Sequence, residues 1–110
     1  MTLEKIRHDF LVECGDDFVG LWNTAKHIKE SFPDWSRDKV QAETLLLLED
    51  LLSNNLIVAG LPNEAEEYVQ WELDAAACIK RIEAEWNRLG RDPNLGDIVW
   101  FTIRDWQQQK

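Results

Sequence analysis

No lysine or arginine occurs between Val40 and Ile79, a gap of forty residues in a chain of 110. The deficit carries through to the whole chain, where Lys and Arg total 12 against 21 Asp and Glu, a formal net charge of −9. That balance argues against a general DNA or RNA binder, which needs a cationic footprint. It argues equally against docking on anionic lipid. Cysteine is scarce: Cys14 and Cys78 form no CxxC pair and no disulfide framework, so both are expected as small buried hydrophobes in a reduced, cytoplasmic protein. Long apolar runs are missing too. Leu45–Leu48, Leu56–Ala59 and Ile98–Phe101 are each four residues long, against the roughly 20 a membrane span requires. The opening MTLEKIRHDF mixes both charges and has no signal-peptide core. With three Pro and five Gly the chain is neither low-complexity nor collagen-like, and its length suits one domain, 1–110.

Catalytic signatures are also lacking. There is no GxSxG, P-loop, GxGxxG, HExxH or EF-hand loop. The two histidines, His8 and His27, and the two cysteines have no metal-ligand spacing. Neighbouring carboxylates such as Asp16-Asp17, Glu49-Asp50 and Glu66-Glu67 point about 100° apart on a helix and do not converge on one substrate. The expectation is a protein with no catalytic residues, no metal and no cofactor.

What is present is helical periodicity. Leu3, Ile6, Phe10 and Cys14 predict a helix over 2–13, stopped by Gly15. Asp16 and Asp17 then read as the cap and first-turn acids of a second helix over 17–31, with Phe18, Leu21, Trp22, Ala25, Ile28 and Phe32 on one stripe and Pro33 ending it. Ser36 is a good cap for a third helix over 37–54, whose broad leucine-rich face marks it as the buried centre. Leu56–Ala59 reads as a strand. Asn63 is expected to cap a long helix over 64–89, with Glu64, Glu66 and Glu67 in its first turn and an optional break near Trp71–Leu73. Gly90 ends it, RDPNLG turns the chain, and Asp97–Ile103 is a second strand; the polar tail 104–110 is expected to fray.

The fold class is therefore α+β, mainly α. Three N-terminal helices precede a two-stranded β-ribbon with a long helix inserted between its strands, a winged-helix-like arrangement. If the apolar strand 97–103 lies on a sheet edge, it offers that edge to a second copy of the chain or to a partner.

The distribution of charge and tryptophan carries the functional expectation. Eight acids, Glu43, Glu49, Asp50, Glu64, Glu66, Glu67, Glu72 and Asp74, fill the stretch that has no base. A one-signed field of this kind speeds encounter with an oppositely charged partner. Glu64, Glu66, Glu67, Glu72 and Asp74 are expected on one exposed patch. Of six tryptophans, Trp22, Trp71 and Trp86 fall on apolar stripes and are expected in the core; Trp100 lies in a strand and Trp106 in the tail. Trp35, in the Pro33–Ser36 turn, is the candidate interface anchor.

Two stretches, Glu43–Pro62 (ETLLLLEDLLSNNLIVAGLP) and Ile82–Phe101 (IEAEWNRLGRDPNLGDIVWF), resemble small acidic bacterial immunity proteins of contact-dependent growth inhibition and related polymorphic toxin systems. The likeness brings no catalytic or ligand motif. It implies a role: tight binding and neutralisation, in the cytoplasm, of one cognate toxin domain, many of which are basic nucleases. Two other readings stand beside it. One is a winged-helix DNA-binding regulator using helix 37–54, where Arg37 and Lys39 lie at the start. The other is an adaptor for a different basic protein.

Overall fold

The computed structural model describes residues 2–94 and 98–103. The elements in chain order are α1 (Leu3–Asp16), β1 (Val19–Gly20), α2 (Leu21–Ser31), α3 (Arg37–Ser53), β2 (Ile57–Pro62), β3 (Tyr68–Gln70), α4 (Ala75–Leu89) and β4 (Trp100–Ile103). The fold is α+β and mostly helical.

Short polar side chains start three of the helices. Thr2 Oγ1 accepts from the Lys5 amide at 3.1 Å, Ser36 Oγ from Lys39 at 3.1 Å, and Asp74 Oδ1 from Ala77 at 2.8 Å. Each satisfies an amide that the helix itself leaves unpaired. α3 closes at Asn54, and Asn55 takes a left-handed conformation (φ 59°) that turns the chain into β2. Inward from α3 point Val40, Thr44, Leu45, Leu47, Leu48, Leu51 and Leu52. The one hydroxyl among them, on Thr44, donates to the Val40 carbonyl at 2.7 Å and so is buried without penalty. Leu46, on the opposite side, is 60% exposed, so the apolar face stops short of encircling the helix.

The four strands form one antiparallel sheet in the order β1-β4-β2-β3. β2 and β4 pair with each other, as their composition suggests. Ile57 lies opposite Ile103 and Ala59 opposite Phe101. These positions belong to the core face, where the Phe101 ring meets Phe10 edge-on at 5.7 Å.

Four expectations are corrected. β4 is not an edge strand: β1 pairs with it on one side and β2 on the other. Trp100 and Phe101 are therefore paired on both sides, and the sheet edges are β1 and β3. Its ladder begins at Trp100, with Leu95–Asp97 and the tail 104–110, Trp106 included, outside the described residues.

The helix expected over 64–89 begins only at Ala75, and a hairpin precedes it. Asn63 folds its side chain over the turn instead of capping a helix. Its Oδ1 accepts from Ala65 (2.9 Å) and Glu67 (3.0 Å), while its amide donates to the Glu67 carbonyl at 2.8 Å. This Asx-type closure competes directly with helix initiation. At the other end of the chain, α1 runs through Gly15 to Asp16, because no neighbour obstructs a glycine that the helix tolerates at modest cost. α2 starts at Leu21, since Val19 and Gly20 are drawn into pairing with Phe101 and Trp100.

Two glycines give opposite expected outcomes on substitution. A Cβ on Gly60 would run into the Val69 carbonyl oxygen, with Gln70 Cα and Tyr68 Cζ both at 2.9 Å. Gly60→Ala is expected to destabilise by about 1–3 kcal/mol, because the obstacle is largely backbone. A Cβ on Gly15 meets nothing within 4 Å, so Gly15→Ala is expected to stabilise α1 by about 0.5–1 kcal/mol. Urea denaturation midpoints of the two variants check both signs.

Candidate functional site

The eight central carboxylates are distributed over α3, the β2–β3 turn and the segment between β3 and α4. Glu64, Glu66 and Glu67 are exposed in the turn joining β2 to β3. Glu72 and Asp74 follow β3 at the opposite end of the hairpin, where Trp71 still donates its amide to Ala59. The strand between the two groups, Tyr68 to Trp71, spans about 10 Å at the usual rise. Asp74 shares a cleft with Ser53 and Asn55, just beyond the end of α3 that carries Glu49 and Asp50. The acids thus divide between a hairpin tip and a base. Glu43 stands apart on α3, half-buried, with Lys39 Nζ at 3.4 Å.

The base is also less one-signed than the sequence suggests. Arg7 of α1 reaches Asp50 with Nε and Nη2 both at 2.9 Å. An exposed pair of this kind contributes little stability, but it sets a cation directly against one of the central acids.

Trp35 does not stand free. Its ring stacks on Phe32 at 4.0 Å and 7°, and Lys39 Nζ sits 4.9 Å from its centroid. It closes the core between α2 and α3 and is half-buried. Trp71 is half-buried under the Arg81 guanidinium, 3.9 Å from its centroid. Trp86 alone among the described tryptophans is wholly buried, with its indole N–H unpartnered.

The surface that sequence reasoning missed lies on the sheet face turned away from α3. Tyr68 crosses β2 over Gly60, and its hydroxyl donates to the Trp100 carbonyl at 3.1 Å. Phe18 lies against Tyr68 with centroids 4.6 Å apart. Trp22 covers Gly20, where a Cβ would come within 2.7 Å of its Cδ1 and 3.4 Å of Trp100 Cζ3. Both glycines are therefore required for rings to lie this close to the strands. Beside the rings, a groove of about 410 Å³ runs past Glu13, Asp16 and Asp17 to Trp22 and Trp100. The sequence pattern places Phe18 and Trp22 on a helical stripe and Tyr68 within the helix expected over 64–89. The signal that could have found them is the clustering of Phe18, Val19 and Gly20 directly after two aspartates, a strand-like interruption between two helices.

Among the described residues, no group of three or more His, Cys, Asp and Glu is placed to hold a metal ion. No described helix is long and apolar enough to cross a membrane. Burial, with Glu13 adding to it, pushes the Cys14 thiol from 9.0 up to about 12. Burial likewise raises Cys78, Asp74 reinforcing and Arg81 opposing the shift. Both thiols stay protonated at neutral pH and are poor nucleophiles.

In the unfolded chain the Cys14 thiol ionises near its ordinary value of 9.0, whereas in the fold it holds its proton to about 12. The unfolded state loses that proton first. Its contribution to stability is therefore intact below pH 9 and declines as the pH rises toward 12. Thermal denaturation from pH 8 upward is expected to show this decline, and Cys14→Ala is expected to flatten it.

The chain matches no protein-family model, no curated protein and no solved structure.

Proposed function

We propose that the chain is an immunity protein that neutralises a cognate basic, nuclease-type toxin domain by stoichiometric binding in the cytoplasm. The observation that carries this reading is the state of the central carboxylates. Glu49, Glu64, Glu66, Glu67 and Glu72 are exposed and make no ion pair with any described basic side chain. Unpaired surface acids at both ends of the hairpin supply the negative field that attracts a basic protein and discriminates against acidic ones. An inhibitor needs only this surface and a rigid scaffold to present it, with no cofactor.

The winged-helix alternative draws less support. Its recognition helix would be α3, but α3 spends seven side chains on the core. After Arg37 and Lys39 its exposed positions are Ala42, Leu46, Glu49, Asp50 and Ser53, which offer phosphate no cation. An adaptor for another basic protein would use the same acidic surfaces, and the identity of the captured partner separates it from an immunity protein.

Capture from a lysate of the host, at low and then high salt, is expected to recover one basic toxin fragment in near-equal amount. Charge reversal at the tip (E64K/E66K/E67K) together with the base (E49K/E72K) is expected to slow association with that fragment about tenfold or more and to remove most of its salt dependence. Undiminished neutralisation by a folded charge-reversed variant would overturn the reading.

A further inference from the structure

The C-terminal end of α1 is electrostatically inverted. A helix C-terminus carries partial negative charge and favours basic side chains. Here Glu13, Asp16 and Asp17 gather at that end, and the last turn contains no base. Only part of this negative charge is answered within the described chain. Glu13 Oε2 accepts from Asn23 Nδ2 at 3.2 Å and Asp17 Oδ1 from the Phe18 amide at 2.8 Å, both neutral donors. Asp16 is exposed.

These carboxylates rim the groove floored by Trp22 and Trp100. Both tryptophans are half-buried, so each leaves part of its surface open. Gly20 is what lets Trp22 settle against β1, since any Cβ there would collide with Cδ1 and Nε1 of its ring. Flat rings and carboxylates lining one groove match one side chain above others. A guanidinium stacks on the face of a tryptophan and at the same time donates paired hydrogen bonds to a carboxylate. The chain already uses half of this arrangement internally, with Arg81 laid over Trp71 at 3.9 Å.

We infer that the groove between the end of α1 and the start of α2 receives an arginine side chain from a basic protein partner. The inference rests on the reading of the partner as basic, and gives that partner a specific anchor away from the hairpin acids. It also accounts for the acids at the wrong end of α1: a docked guanidinium neutralises charge that the free protein holds at a cost.

The test uses the intact protein and an octa-arginine peptide, followed through the tryptophan indole N–H signals by nitrogen-15 NMR. The Trp22 and Trp100 signals are expected to shift, with the buried Trp86 signal fixed. Asp16→Asn with Asp17→Asn is expected to weaken peptide binding about tenfold by removing the paired acceptors. The same variant is expected to melt about 2–4 °C higher, because it relieves the repulsion at the helix end. That combination of weaker binding and greater stability is not produced by a purely structural role. Neutralising the hairpin tip (E64Q/E66Q/E67Q), whose carboxylates do not line the groove, is expected to change binding no more than about threefold. Fixed Trp22 and Trp100 signals, or unchanged peptide affinity in the aspartate variant, would overturn the inference. If a basic toxin is nevertheless captured, the groove assignment alone falls. If the peptide seats on Trp22 and no toxin is captured, the immunity reading falls and the groove stands.

Discussion

The architecture follows from the need to cover α3. Its seven inward side chains spread over about 160° of the helix at 3.6 residues per turn, wider than the stripe of roughly 100° typical of a surface helix. One neighbouring element cannot bury so broad a face. α2 and α4 both pack against α3, and β2 follows directly from its end. Leu48 and Leu51 become fully buried as a result. The sheet is then oriented so that Ile57, Ala59 and Phe101 join the same core. Its other face is left to the aromatic rings, which makes the groove a consequence of how α3 is enclosed.

Much of this was legible in the sequence. α3 was marked by its leucines and bounded by Ser36 and Asn54, signals of local chemistry that tertiary contacts had no reason to override. The pairing of β2 with β4 followed from there being two strand-like segments. The hairpin was hidden by a coincidence of spacing. Tyr68, Trp71, Ala75 and Cys78 recur at three- and four-residue intervals, yet the first two belong to or adjoin a strand and the last two to a helix. Asn63 was recognised as a capping residue, but the same side-chain oxygen serves a tight turn equally well. β1 is two residues long and gains its identity from β4, about eighty positions away, which no local window reveals.

The candidate site was legible in kind more than in place. The exposed acids could be read from composition, since carboxylates without nearby bases rarely go inside. Their division between tip and base depends on where the hairpin turns, and Arg7 joins Asp50 across most of the N-terminal half. Asp16 and Asp17 show the same limit most directly. Moved from the start of one helix to the end of another by a shift of a few residues, they change from locally favourable to locally unfavourable charges. Trp35, singled out for its position in a turn, is half-buried and stacks on Phe32 with Lys39 beside it. Trp22, assigned to the core, keeps part of its surface open.

The central place of β4 in the sheet has a kinetic consequence. Val19 pairs with Phe101 and Ala59 with the same residue, so a strand late in the chain must enter between two strands that precede it. The helices and the β2–β3 hairpin can nucleate from near neighbours, but β1 has no sheet to join until β4 is seated. Loop-closure entropy on this scale has to be met before the pairing returns any energy. The same geometry marks the weak point of the sheet. Without β4, β1 and β2 share no partner and Phe10 loses the ring packed against it. A strand from another copy would find that same slot.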